Sequence, residues 1–112
     1  MNMNMMEMLA KIQEMQAEIQ KTQESLEKLT VETESGGGMV KATANGLKKI
    51  VKLQIDKDII DKEDPEMMED LIIAAINKAL DAADELHKRE MQKATTAMLP
   101  NIPGLDLSKF GI

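Results

Sequence analysis

The chain has 112 residues and a net charge of −6, from 14 Lys and Arg against 20 Asp and Glu, with 1 His, 1 Phe and no Cys, Trp or Tyr. That length accommodates one small domain, and the lack of thiols excludes disulfides, thiolate metal sites and Cys nucleophiles. A lone His87 excludes a His-rich metal cluster or a Ser/His/Asp triad within one chain; the acidic balance and the scarcity of aromatics exclude a globally basic nucleic-acid binder and base-stacking platforms.

Residues 1–28 contain no Gly or Pro and read as one long helix. Apolar residues fall at Met5, Met8, Ile12, Met15, Ile19, Leu26 and Leu29, with Thr22 at the one interrupted position. This 3.5-residue repeat predicts a narrow seam facing another helix. Met5, Met8, Ile12, Met15 and Ile19 are therefore candidates for dimer or arm packing, and the 11 Met residues suit adaptable helix seams.

Residues 29–55 change to a period of two and predict a three-stranded antiparallel meander. Leu29, Val31 and Thr33 alternate with polar residues, Gly36-Gly37-Gly38 breaks the chain, and Asn45-Gly46 separates two further runs. Asn-Gly between alternating runs predicts a type I′ hairpin, whose two central residues take positive φ. Alternation would set Val40, Ala42, Ala44, Val51, Leu53 and Ile55 on one face, and Lys41, Thr43, Lys48, Lys52 and Gln54 on the other.

A polar connector, 56–63, leads to Asp64-Pro65-Glu66, where Asp64 suits a cap, Pro65 the first helical position and Glu66 the helix dipole. The second helix is predicted over 64–99 with a stripe of Met68, Leu71, Ile72, Ala75, Ile76, Ala79, Leu80, Ala83 and Leu86, and Pro100 ends it. An irregular tail, 100–112, carries Leu105, Leu107, Phe110 and Ile112. Residues 1–12 lack the pattern of a secretory signal, and the longest apolar run, 71–76, is far short of the roughly 18 residues of a spanning helix. The expectation is a soluble cytoplasmic protein without membrane contact.

The predicted fold is α+β: a single domain, 1–112, with two long helices flanking a three-stranded antiparallel meander in the order α-β-β-β-α. Helices of this length outreach a small sheet and leave apolar seam uncovered, so a homodimer is expected.

These features resemble the YbaB/EbfC family of bacterial nucleoid-associated proteins. The resemblance rests on Gly36-Gly37-Gly38-Met39-Val40-Lys41-Ala42, on Asn45-Gly46, on the Ala-rich stretch Leu71 to Leu80, on Pro103-Gly104-Leu105 and on the acidic connector after Ile55. It implies a tweezer-shaped homodimer, located at the nucleoid, that binds duplex DNA with little base specificity and affects nucleoid organisation and gene expression. Two departures are the Met-rich first helix and the acidic overall charge.

The charge map identifies candidate contacts. Residues 39–55 hold Lys41, Lys48, Lys49 and Lys52 and no acid, and Lys88, Arg89 and Lys93 lie near the end of the second helix. Lys41, Lys48, Lys52, Lys88, Arg89 and Lys93 are the candidate DNA-binding residues, acting on phosphates, with no short recognition helix to read bases. The Gly-rich segment precedes a strand and lacks the Lys-Ser/Thr of a phosphate loop, so it reads as a turn. The carboxylates 56, 58, 61, 63 and 64 lack the pattern of a calcium loop, and His87 reads as a solvated side chain. No catalytic constellation, metal or cofactor is expected. A second reading makes the protein a chaperone-like module that engages protein partners through its Met-lined arms or its tail.

Overall fold

The computed structural model describes residues 4–98. Helix α1, Met5–Lys28, starts where the Asn4 side chain accepts the Glu7 amide at 2.8 Å, and ends where Leu29 turns extended. Strands β1 (Thr30–Ser35), β2 (Val40–Asn45) and β3 (Ile50–Ile55) form one antiparallel sheet in that order, followed by helix α2, Pro65–Met98. Asp64 accepts the Met67 amide at 3.4 Å, which places the expected cap at the start of α2. The architecture is the expected α-β-β-β-α; the tail 100–112 and the final expected helical residue, Leu99, lie outside the described residues.

Small residues let α2 approach the sheet closely. Val40, Ala42 and Ala44 of β2 are fully buried with Ala75, Ala79 and Ala83 of α2. Two hydroxyls fix the register: Thr33 donates to the Ala75 carbonyl at 2.8 Å, and Ser35 donates to the Leu71 carbonyl. Two residues along a strand and four along a helix each advance about 6–6.6 Å, so alternate β1 residues meet successive helical turns. Ser35, a buried polar residue, is thereby satisfied.

Helix α2 lies across β1 and β2 and reaches β3 only marginally. Consequently β3 has no buried face: Ile50, Val51 and Leu53 are all more than a third exposed. The helices also run past the sheet. The described chain spans 72 × 26 × 16 Å with a radius of gyration of 20.4 Å, against about 13 Å for a compact globule of this size. Along the α1 seam, Met5 is 77% exposed, Met8 53% and Ile12 48%, whereas Met15, Ile19 and Thr22 are half-buried and Leu26 is fully buried. The seam faces protein at its base and solvent at its tip.

Four local readings are corrected. The hairpin is not type I′: Asn45 and Gly46 lack positive φ, and Lys48 takes it instead, at φ 64°. Asn45 accepts the Leu47 and Lys49 amides through its side chain, and the Lys48 amide donates to the Asn45 carbonyl at 3.0 Å. The loop is a turn followed by a left-handed residue. A bulge between Thr43 and Ala44 then sets Ile50, not Val51, opposite Ala44. The connector is not wholly polar, because the short helical turn Lys57–Ile59 buries Ile59 in the core. His87 is half-buried, and its Nδ1–H donates to the Gly46 carbonyl at 2.9 Å, tying α2 to the hairpin loop.

Candidate nucleic-acid interface

The six candidate cations do not form one patch. Lys41 and Lys52 project from the side of the sheet opposite α2, since their strand neighbours Val40, Ala42 and Leu53 lie on the helix side. Glu34 of β1 stands directly opposite Lys41, and Glu32 stands opposite Thr43, so this face carries acids on β1 beside the lysines of β2 and β3. The acid-free run 39–55 is acid-free only along the chain, because β1 brings glutamates beside it.

Lys48 belongs elsewhere. Its left-handed backbone, in the loop between β2 and β3, lets the side chain reach α2, where Nζ lies 3.4 Å from one oxygen of Asp84. Lys88 approaches the other oxygen at 2.9 Å, from one helical turn further on. The left-handed region costs an L-residue about 1–2 kcal/mol, so Lys48 occupies a position that favours glycine. On the same stretch of α2, Lys93 pairs with Glu90 at 3.2 Å, and Arg89 is exposed. Arg89, Gln92, Lys93 and Thr96 follow the i, i+3, i+4, i+7 spacing of one helical face and line a shallow hollow.

Asp84 and Lys88 stabilise each other's charged forms. The hydrogen bond from Lys88, supported by Lys48, holds the Asp84 carboxyl below the ordinary carboxylate range, and Asp84 raises Lys88. Asp84's contribution is present above about pH 3.8 and is lost as pH falls through its lowered folded value. That of Lys88 is present below about pH 10.5 and is lost as pH rises through its raised folded value.

The acidic connector has a local explanation. Asp56 accepts the Asp58 amide and Asp61 accepts the Glu63 amide, both at 2.9 Å, as turn caps. Among the described residues, no group of three or more His, Cys, Asp or Glu is arranged to hold a metal ion, and no helix is long and apolar enough to cross a membrane.

Asp84 is not among the residues that the charge pattern of the sequence singles out. Its i, i+4 spacing to Lys88 is a visible signal, but the tie to Lys48 depends on the left-handed loop.

Fold and surface together define an elongated α-β-β-β-α protein that presents charge along a helix end, a loop and a sheet face. The profile of the YbaB/EbfC DNA-binding family matches residues 1–98, and the chain belongs to that family. It is 46% identical over 108 residues to a nucleoid-associated protein of Chlorobaculum parvum, covering 96% of this chain and 94% of the other. A nucleoid-associated protein of Thermoanaerobacter pseudethanolicus is 53% identical over 76 residues, 68% of this chain and 67% of the relative. The crystal structure of an uncharacterized Helicobacter pylori protein superimposes with a TM-score of 0.75 at 29% identity, covering 84% of this chain and 99% of that one.

Proposed function

We propose that the protein is a nucleoid-associated, cytoplasmic DNA-binding protein that holds duplex DNA as a homodimer, with little base specificity, and affects nucleoid organisation and gene expression. Family membership over residues 1–98 carries this reading, and the names of its relatives agree with it. The cations support a phosphate-directed mode. Lys41, Lys48, Lys52, Lys88, Arg89 and Lys93 sit on strands, in a loop and along a helix end, which suits contacts to a sugar–phosphate backbone better than base edges.

The test is fluorescence anisotropy on a labelled random-sequence duplex, with salt titrated at fixed temperature. About six phosphate contacts per dimer give a log–log slope of about −5. No binding at low salt would overturn the reading. The exposed Met5, Met8 and Ile12 favour one further role, protein contact through the arms; binding to an unfolded polypeptide that survives high salt would mark it.

The second copy is assigned to the uncovered apolar surface. Ile50, Val51 and Leu53 on the edge strand, with Ile60 of the connector and Met67 and Ile73 of α2, are all more than a third exposed. An edge strand with unpaired backbone and apolar side chains invites pairing, and a two-fold arrangement covers the same strand on both chains. The arm seam, from Met5 through Ile19, is a further packing surface. Leu53→Lys is expected to convert the dimer to monomer in light scattering while circular dichroism stays unchanged. A dimer that persists in this variant would remove the β3 surface from the interface.

A further inference from the structure

We propose that Asp84 is an internal competitor for the DNA phosphate, its carboxylate occupying the seat between the Lys48 and Lys88 ammonium groups that a backbone phosphate takes in the complex. This rests on the DNA-binding reading and assigns that reading a particular seat and a particular brake.

Three observations meet at this point. Lys48 and Lys88 come from separate elements yet converge on one carboxylate, one on each oxygen, at 3.4 and 2.9 Å. Two ammonium donors bracketing two oxygens on one centre is an arrangement that a phosphate's non-bridging oxygens also satisfy. Secondly, Lys48 reaches the seat from a left-handed backbone position. A non-glycine residue held there points to a function for its side chain. Thirdly, the seat is open: the side chains of Lys48, Asp84 and Lys88 are 46%, 38% and 74% exposed, so an incoming polyanion can reach both lysines.

The balance of charge gives the direction of the effect. The cluster carries two positive charges and one negative, so its net attraction for a phosphate is that of a single lysine. An exposed ion pair contributes little to stability, and displacing Asp84 from the lysines therefore costs the fold little. DNA that takes the seat must nevertheless compete with a tethered anion, which lowers affinity and leaves fewer counterions to be released.

Asp84→Asn tests this. The amide keeps the shape and one acceptor oxygen but loses the charge. It is expected to raise duplex affinity about 3–10-fold at 0.1 M salt, and to steepen the salt slope by about 0.9 for each lysine contact freed. Asp81→Asn, which removes the same charge about one helical turn earlier, is expected to leave the slope unchanged. The gain from Asp84→Asn should disappear when Lys48 and Lys88 are both Gln. If wild-type protein binds DNA but Asp84→Asn binds no better, or gains no more than Asp81→Asn, Asp84 is not a competitor and the DNA reading stands without it. If wild-type protein does not bind DNA even at low salt, the DNA reading fails and this proposal fails with it.

Discussion

Gly46→Ala is expected to lower the melting temperature by about 5–20 °C at fixed protein concentration, from an overpacking cost of about 1–3 kcal/mol and about 4–8 °C per kcal/mol for a domain of this size. Gly46 is where three elements meet. Its amide donates to the Leu26 carbonyl at 2.8 Å and to the Leu29 carbonyl at 2.9 Å, and its own carbonyl accepts from His87. A Cβ at this position would lie 2.6 Å from Leu26 Cδ2 and 2.8 Å from the Leu26 backbone oxygen. The side chain could rotate away, but the backbone oxygen belongs to the end of α1 and cannot move without moving the helix. Leu26 is the fully buried residue of α1, so the shift would open a contact that holds α1 against the hairpin. Hydrogen exchange should accordingly accelerate at the Gly46 and Leu29 amides in this variant. Gly37→Ala provides the contrast: Gly37 has φ 67°, and nothing lies within 4 Å of where the added methyl group would sit. Only the backbone cost of about 1–2 kcal/mol then applies, and α1 stays attached. Wild-type melting of Gly46→Ala would show that the close contact is not present in solution.

Gly46 also shows how far the sequence could be read. Asn45-Gly46 marks a hairpin, and a hairpin is present, yet the glycine serves close approach to Leu26 while the positive φ falls on Lys48. Local sequence signals a reversal of the chain; which residue must be small depends on α1 docking from a distant part of the sequence. The long elements were legible because their periodicity repeats over many residues, as in the α1 seam and the Ala-rich stripe of α2. On β3 the expected faces hold for Lys52, Leu53, Gln54 and Ile55, but not for Val51, because the bulge at Thr43 and Ala44 brings Ile50 opposite Ala44 instead. Nor does polarity along 56–63 reveal that Ile59 closes one end of the core. Charge was misleading for a related reason: a run without acids along the chain acquires Glu32 and Glu34 across the strand and Asp84 from the helix.

That redistribution makes a sharp prediction about the candidate interface. Lys48→Gln, Lys88→Gln and Arg89→Gln together are expected to flatten the salt dependence of duplex binding, whereas Lys41→Gln with Lys52→Gln is expected to change it much less. The first set lies on a loop and a helix end, with Lys88 74% and Lys48 46% exposed at the side chain, and it occurs twice in a dimer. With Asp84 offsetting one lysine at each seat, the set counts for about four contacts in a dimer, so a slope of about −5 should flatten by about 3.6 at about 0.9 per contact. The second set faces glutamates: Glu34 is the direct neighbour of Lys41 across β1, and Glu32 stands on the same face. A phosphate brought to that surface meets like charge as well as opposite charge, which reduces the counterion release each lysine there can contribute. Neutralising lysines with Gln, rather than reversing them to Glu, isolates lost contacts from added repulsion. Anisotropy titrations of both variants against one random-sequence duplex decide the matter. A slope that flattens with Lys41 and Lys52, and not with Lys48, Lys88 and Arg89, would move the DNA to the open face of the sheet and leave the end of α2 without a phosphate-binding role.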